Sequence, residues 1–410
     1  MKKKNVFSDN AQSISILVYT EKFLKDSAAL KFLCNANKIS PIRIYFMPIL
    51  SNQYDCNLMV GKYSHFKQGA LTQVEISFID CSSVVSIHNY LSEDMDESDI
   101  YRLSEESIIH GQLTSDMFDY VIAEEISEQE KYNVPVISLE RCKELLRLFL
   151  VQKKQFSVSE HYSIDETFYY IYKHKQLFSE FQNYWSAVIK NETKYDWADA
   201  LDNRLSLLTI CLDQCKIEAY KRQNNLTVMY LKYHLSYLIL LITGTFDNLA
   251  WIINNHYELG LDKRKIDLRG KQFKNKIKEK SMAIYSVLEA QYTETGINAI
   301  RELRDRIVHR DFIKAIPGSN SKCMYETSYF WLDDETYNLF MKAGFIDSGV
   351  KLKAKNNVFI DMQDFICFLE ERVVKITNDL LKIIADEIYS ERDKYEIWKM
   401  LGLLVEPYVL

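Results

Sequence analysis

Arg304 and His309 are the residues whose types and spacing best suit chemistry on a phosphodiester. They form an R-x-x-x-x-H pattern, with Asp305 directly after the arginine. A histidine that titrates near neutrality can take a proton from a ribose 2′-hydroxyl or supply one to the leaving 5′-oxygen. A guanidinium can hold the phosphate and stabilise the charge that grows in the pentacoordinate state. These types therefore suit RNA cleavage that uses the RNA's own 2′-hydroxyl as nucleophile and needs neither a metal nor a cofactor.

Helical periodicity places the pair on one long helix and shows how its side chains must diverge. Because successive helical residues turn by about 100°, Arg304 falls at about 40° from Ile300, inside the apolar sector that includes Leu303 and Ile307. His309 falls at about 180° on the same scale, so the two side chains point about 140° apart. Convergence on one phosphate requires a helix end or distortion near His309, or a site assembled from two subunits.

Two aspartates are candidates for positioning this pair. Arg304 in an apolar sector needs either an acidic partner or a polar cleft, because a buried charge without a partner is costly. Asp247, which follows the apolar run Leu235–Phe246, is one such partner. Asp305 precedes His309 by one helical turn, so the carboxylate can contact the imidazole, fix its orientation and raise its basicity.

A basic segment from Asp262 to Lys280 comes shortly before the motif. It contains nine Lys or Arg residues against three acidic ones, in a protein whose net charge is −6. Contacts to RNA phosphates need such a local patch when the whole protein is acidic. The candidate RNA-binding residues are Lys263, Arg264, Lys265, Arg269, Lys271, Lys274, Lys278 and, beside the motif, Arg310.

Proline usage and hydrophobic periodicity divide the chain into two predicted domains. Residues 1–155 contain short β-branched and aromatic runs together with two amphipathic helices, which predicts an α/β or α+β domain. No proline occurs between Pro135 and Pro317, and long helical patterns fill this interval, so residues 156–410 are predicted to form an all-helical bundle. A break at residues 314–345 interrupts this pattern and indicates a small excursion with strands.

The helical pattern and the motif together resemble the HEPN superfamily. Its ribonuclease members carry an arginine, a polar residue, and a histidine four to six residues after the arginine, as Arg304, Asp305 and His309 do here. The resemblance implies a homodimer of helical bundles with the two motifs facing each other across a cleft. It also implies an endoribonuclease, of the kind found in toxin, abortive-infection and antiviral systems, with Arg304 and His309 as catalytic residues. The N-terminal domain would then sense a trigger or restrain the nuclease.

Two other interpretations remain open at this stage. One is a non-catalytic helical dimer that binds RNA or a partner protein. The other places the chemistry in the first domain, where carboxylates at predicted strand ends could hold a metal; they are Asp80, Asp119, Glu124 and Glu125. P-loop, GxGxxG, HExxH and G-x-S-x-G motifs are absent from the sequence, and its eight cysteines show no zinc spacing. Scattered cysteines and no apolar run long enough to span a bilayer predict a cytoplasmic protein without a membrane segment.

Overall fold

The computed structural model of the chain describes residues 6–8, 11–18, 27–37, 39, 41–46, 59–68, 71–78, 85–89, 118–123, 134–159, 162–163, 165–188, 192–309, 313–320, 325–346, 352–354 and 357–388. They are mostly helical. Internal contacts divide the chain into two compact units, with the boundary between Tyr162 and Ser163. This boundary lies a few residues after the predicted one. The acidic stretch at residues 92–107 lies outside the described residues.

A seven-stranded sheet forms the centre of the first unit. Its strands are β1 (Ile14–Val18), β2 (Ile42–Phe46), β3 (Met59–Gln68), β4 (Leu71–Phe78), β5 (Val85–Asn89), β6 (Tyr120–Ile122) and β7 (Val136–Ile137). The order is β5-β4-β3-β2-β1-β6-β7. Strands β3, β2, β1, β6 and β7 pair in parallel, whereas β4 and β5 add antiparallel pairs at one edge. All five residues of β1 are buried, as expected for a strand inside a parallel sheet.

Two helices accompany this sheet, α1 (Ser27–Asn37) and α2 (Leu139–Gln152). Ser138 caps α2 by accepting a hydrogen bond from the backbone N–H of Arg141 at 3.2 Å. Parallel strands alternating with helices are typical of an α/β unit, and the sequence predicted this class. The short strands β8 (Ser157–Ser159) and β9 (Tyr162–Ser163) form a two-stranded pair at the boundary between the units.

Long helices dominate the second unit. They are α3 (Glu166–Leu177), α4 (Ser179–Val188), α5 (Glu192–Tyr220), α6 (Asn225–His256), α7 (Lys271–Lys280), α8 (Met282–Glu289), α9 (Gln291–His309), α10 (Asp334–Lys342) and α11 (Met362–Ile388). Helices α5 and α6 form an antiparallel hairpin, in which the rings of Trp197 and Trp251 stack with centroids 5.0 Å apart. Their facing residues belong to one continuous hydrophobic core that also includes α9 and α11.

Helix α6 is the one described helix that is long and apolar enough to cross a membrane by length and composition. Its most apolar window has a mean hydropathy of 1.4, but 61% of that window is buried inside the protein. This burial is typical of the core helix of a soluble protein, as the sequence predicted for this run.

The periodicity of the second domain predicts a series of long helices, and the first and fourth of these, at residues 165–191 and about 271–292, are interrupted in the structure. The first is interrupted at Phe178, where Asn378 of α11 donates to the Leu177 carbonyl at 3.1 Å and accepts from the Glu180 backbone N–H at 3.3 Å. A side chain from a helix distant in sequence therefore hydrogen-bonds to a free backbone group at each of the two helix ends that the break creates. The fourth is interrupted at Ser281, whose hydroxyl caps α8 and donates to Glu387 at 3.1 Å. Helical periodicity alone cannot show such tertiary caps.

A four-stranded sheet interrupts the second unit, so this unit is not all-helical as the domain prediction stated. Its strands are β10 (Lys314–Asn320), β11 (Tyr325–Asp333), β12 (Leu352–Ala354) and β13 (Asn357–Asp361), in the order β10-β11-β13-β12. The sheet begins where the sequence indicated an excursion. The rings of Phe330 of β11 and Phe365 of α11 pack at a tilted angle with centroids 4.5 Å apart, so the sheet packs on the helical core.

Candidate functional site

Helix α9 carries the R-x-x-x-x-H motif on its last turns. The Arg304 side chain is half-buried, with 35% of its surface exposed, and His309 is exposed at the end of the helix. The helix runs through to His309 without a break between the two residues. The divergence of about 140° that an ideal helix imposes therefore applies to them, and one copy of the chain does not aim both at a single phosphate.

Asp305 contacts the arginine of the motif and not the histidine. Its carboxylate accepts a hydrogen bond from Arg304 Nη1 at 2.8 Å, and the two side chains are 35% and 45% exposed. Within the described part of the chain, no hydrogen bond reaches the imidazole of His309. An exposed pair of this kind contributes about 0–1 kcal/mol, so a phosphate can displace the Asp305 carboxylate at little cost.

Asp247 pairs with Arg301, one turn before Arg304, and not with Arg304 itself. Arg301 Nη2 donates to Asp247 Oδ1, and these side chains are 13% and 50% exposed. The prediction that Asp247 pairs with Arg304 is therefore wrong, although an acid of α6 does pair with an arginine of α9. The reason is register: helix α9 places Arg301, and not Arg304, level with Asp247.

Contacts with helix α11 fix the relative directions of α9 and α6. Two contacts join α9 to α11: Tyr292 with Asp379, and Gly296 with Arg372. The end of α6 contacts the end of α11 through His256 and Glu387. The start of α11 contacts the residues just before α6 through Gln363 and Ala219. They make α9 antiparallel and α6 parallel to α11. Helices α9 and α6 are thus antiparallel, so residues after Arg301 lie alongside residues before Asp247. For ideal helices side by side with a rise of about 1.5 Å per residue, this register would put Arg304 level with Gly244 and Val308 level with Leu240.

Gly244 gives α6 an unusual point of contact with α5. A Cβ atom at this position would lie 2.7 Å from Cζ of Arg204, so the guanidinium of Arg204 packs directly on the glycine backbone. Gly244 and Asp247 share a face of α6, because residues three apart are helical neighbours. Guanidinium groups from the two helices that flank α6, Arg204 from α5 and Arg301 from α9, therefore reach this one face.

Neither Arg204 nor Arg301 was among the sequence candidates. The signal that could have found them is Gly244 itself, because an isolated glycine in an apolar helical run costs about 1 kcal/mol relative to alanine and usually marks a close approach. The sequence does not show what approaches the glycine, since Arg204 lies far away along the chain.

Helix α5 is held in the orientation that aims Arg204 at α6 by the buried His174 of α3. His174 Nε2 lies 2.9 Å from Asp202 Oδ1, and its Nδ1 lies 3.1 Å from Ser206 Oγ and 3.0 Å from the Tyr170 carbonyl. Asp202 and Ser206 are one turn apart on α5 and share a face, and Arg204 projects from a different one. These hydrogen bonds fix the rotation of α5 about its axis.

The basic segment (262–280) contains both exposed and neutralised cations. Lys263, Arg264 and Lys265 form a short 3-10 helix and are exposed, as is Lys271 at the start of α7. Lys274, by contrast, is paired with two glutamates.

Lys274 Nζ lies 2.7 Å from Glu289 and 3.0 Å from Glu294, and its side chain is only 11% exposed. Its predicted role in RNA binding is therefore replaced by a structural one. Lys278 lies 5.1 Å from the ring centroid of Tyr285, and Arg310 lies outside the described residues.

Asp267 connects this segment electrostatically to Arg301 of α9. Burial acts to raise the pKa of Asp267, but hydrogen bonds and charge from Arg269, together with the charge of Arg301, outweigh it and hold the pKa below its ordinary value. The Arg269 guanidinium lies 3.1 Å from the carboxylate. The charge of Arg301 contributes to this shift, so Asp267 is within electrostatic reach of the Arg301–Asp247 pair.

The carboxylates of the first unit are mostly outside the described residues; of the four, Asp119 is described. Asp119 Oδ2 accepts a hydrogen bond from the Ser15 backbone N–H at 2.7 Å. Across the described ranges, no group of three His, Cys, Asp or Glu side chains is arranged to hold a metal ion.

This chain matches no protein-family model, no curated protein and no solved structure. The resemblance to the HEPN superfamily thus depends on the motif and the helical pattern alone.

Proposed function

We propose that the protein is a metal-independent endoribonuclease of the HEPN type. The observation that carries the proposal is the placement of Arg304 and His309 on the last turns of α9, with both side chains accessible and the basic segment near Arg301 on the same helix. Resemblance to the superfamily adds the further proposal of a cytoplasmic toxin or abortive-infection effector. In that role the N-terminal α/β unit regulates the nuclease.

The reaction uses the RNA's own 2′-hydroxyl. His309, neutral, takes the 2′-hydroxyl proton while the 2′-oxygen attacks the adjacent phosphorus. The bond to the 5′-oxygen breaks, the leaving oxygen takes a proton from water, His309 returns its proton to the solvent, and the products carry a 2′,3′-cyclic phosphate and a 5′-hydroxyl. Arg304 leaves Asp305 and binds the non-bridging oxygens, where its planar fork stabilises the growing charge.

A homodimer resolves the divergence of Arg304 and His309 along α9. An apolar face of α6 provides a surface for a second copy: Leu226, Met229, Tyr230, Tyr233, Tyr237 and Leu240 are 39–67% exposed. Exposed apolar patches on helices commonly mark interaction sites. Because the ideal-helix register would put Val308, itself 45% exposed, level with Leu240, this face would adjoin the end of α9. A second copy covering it would bring its own α9 close to the first.

The test is cleavage of single-stranded RNA by purified variants. His309→Ala should lower the rate by about 10²–10⁴-fold because it removes the proton-transfer group. Arg304→Lys should be nearly as damaging, because an ammonium ion cannot reproduce the bidentate fork. The matched control is His256→Ala, which removes a histidine that lies 3.3 Å from Glu387 at the other end of the unit and should leave cleavage intact. EDTA should have no effect.

Three outcomes would contradict the proposal in different ways. Cleavage that EDTA abolishes and His309→Ala retains would place the active site elsewhere, with the carboxylates of the first unit as the next candidates. If His256→Ala lowers the cleavage rate as much as His309→Ala does, the loss reflects a general effect on folding and not the removal of a catalytic group. RNA binding without cleavage, with and without candidate triggers, would favour the alternative function, a non-catalytic dimeric module that binds RNA or a protein.

A further inference from the structure

We propose that Arg204 and Arg301 form a phosphate-binding site over Gly244, and that it holds a phosphate of the RNA strand next to the one that Arg304 binds. The assignment rests on the proposed function for the identity of the strand. The site itself rests on the geometry of α5, α6 and α9.

Uncompensated charge is the first argument. Arg204 is half-buried, and among the described residues no carboxylate or hydrogen-bond acceptor pairs with it. Its Nε and the Nε of Arg301 are both buried without a hydrogen-bond partner. A buried donor left unsatisfied is costly, and more so when it belongs to a charged group. The charge of Arg204 is therefore not neutralised by any carboxylate among the described residues, and an anion placed against its guanidinium would neutralise it.

The shape of α6 at this point is the second argument. With Gly244 at zero, Tyr233, Tyr237 and Leu240 fall within about 40° and Asp247 within about 60°, so they share one exposed face of the helix. The glycine leaves this face without a side chain at one position. Arg204 from α5 packs on the glycine, and Arg301 from α9 contacts Asp247, one turn further along α6. Asp247 neutralises only Arg301, which leaves one positive charge in excess.

Continuity with the rest of the site is the third argument, and it favours a strand over a small free anion. Arg304 follows Arg301 by one turn of α9, which places the catalytic arginine directly alongside. On the other side, the charge of Arg301 reaches Asp267 of the basic segment. Consecutive phosphates of one strand can therefore meet Arg304, then Arg204 with Arg301, then the lysines of the basic segment.

Binding measured without turnover tests the site separately from catalysis. In a His309→Ala background, fluorescence anisotropy follows a labelled single-stranded RNA, and calorimetry follows inorganic pyrophosphate. Arg204→Gln should weaken RNA binding on the order of tenfold and lower the slope of log K against log salt by about 0.7. Gly244→Ala should weaken RNA binding similarly, because its methyl group displaces Arg204, while the melting temperature does not fall, because alanine is the better helix former.

Two control variants separate this effect from loss of charge or of a glycine. Lys382→Gln removes an exposed cation of α11, and Gly296→Ala adds a methyl group against another arginine, Arg372, whose Cδ would lie 3.0 Å away. Both should bind RNA as the background protein does.

The possible results assign failure to one proposal or the other. If the wild type cleaves RNA but Arg204→Gln and Gly244→Ala bind RNA normally, the phosphate site is wrong and the proposed function stands. If nothing is cleaved but both variants lose RNA affinity, the site stands and the ribonuclease proposal falls. If the two variants lose pyrophosphate binding alone, the site takes a small free anion, and the assignment to an RNA strand is overturned.

Discussion

Replacing Lys263 and Lys265 by glutamine tests whether the exposed part of the basic segment binds RNA. Both side chains are exposed, and among the described residues neither has an acidic partner. Each cation that neutralises a phosphate of a single strand contributes about 0.7 to the slope of log K against log salt. Loss of two contacts should lower the slope by about 1.4 and weaken binding about 25-fold at 0.1 M salt.

Lys274→Gln is the contrasting variant, because it removes one charge from the same segment at a buried, paired position. Burial acts to lower the pKa of Lys274, but hydrogen bonds and charge from Glu289 and Glu294 outweigh it and raise the pKa, in line with the two ion pairs that hold this cation. Its loss leaves two carboxylates without their partner, so unfolding free energy should fall by about 1–2 kcal/mol while the salt slope stays unchanged.

Fluorescence anisotropy of a labelled RNA in the His309→Ala background, from about 50 to 200 mM salt, gives the slopes. Chemical denaturation gives the stabilities. The reasoning is refuted if Lys263→Gln with Lys265→Gln leaves the slope unchanged, or if Lys274→Gln lowers it as much as they do. Either result would mean that solvent exposure in this segment does not identify the residues that touch phosphate.

Three further variants test single contacts. Asp305→Asn should tighten RNA binding because it releases Arg304. A large loss of turnover at unchanged affinity would instead mean that Asp305 acts through His309. His174→Gln should lower unfolding free energy by about 1–3 kcal/mol in denaturation experiments, because it leaves Asp202 without its buried partner. Asp267→Asn should be less stable than the wild type at neutral pH. Because the folded pKa of Asp267 is depressed, this difference should shrink as the pH falls below about 4, where the carboxylate of the unfolded chain becomes protonated.

Elements with a local signal were predictable from the sequence. The run Asn225–His256 is apolar, free of proline and capped by Asn224, whose side chain accepts from the backbone N–H groups of Leu226 and Thr227. Periodicity predicts a helix from Thr227 to about His256, close to the observed bounds of α6. Four of the seven strands of the first unit's sheet, β1, β2, β4 and β6, were found for a similar reason, since short β-branched runs between polar segments specify strands on their own. Strands β3, β5 and β7 were not predicted.

Contacts that depend on tertiary register were not predictable. Asp247 was identified as a candidate partner of Arg304, but the sequence could not show that Arg301, one turn earlier on α9, is the arginine that it meets. The excess charge of the basic segment was equally visible, yet the neutralisation of Lys274 comes from Glu289 and Glu294 on other helices. Composition gives the number of charges, and only packing decides which of them remain available to a ligand.

Mixing two inactive variants would show whether the site is built from two copies. In a symmetric dimer each site would take Arg304 from one copy and His309 from the other. A mixed dimer of Arg304→Lys and His309→Ala chains then has one site with both changes and one site with neither. Random exchange of equal amounts should restore about a quarter of the wild-type rate, because half of the dimers are mixed and half of their sites are intact. The variant pair Tyr233→Glu and Tyr237→Glu should abolish both the dimer, seen by light scattering, and this recovery, whereas Met282→Glu, at an equally exposed apolar residue of α8, should change neither. If the mixture stays inactive although mixed dimers form, both residues serve one site within one chain, and α9 must then distort at His309 when RNA binds.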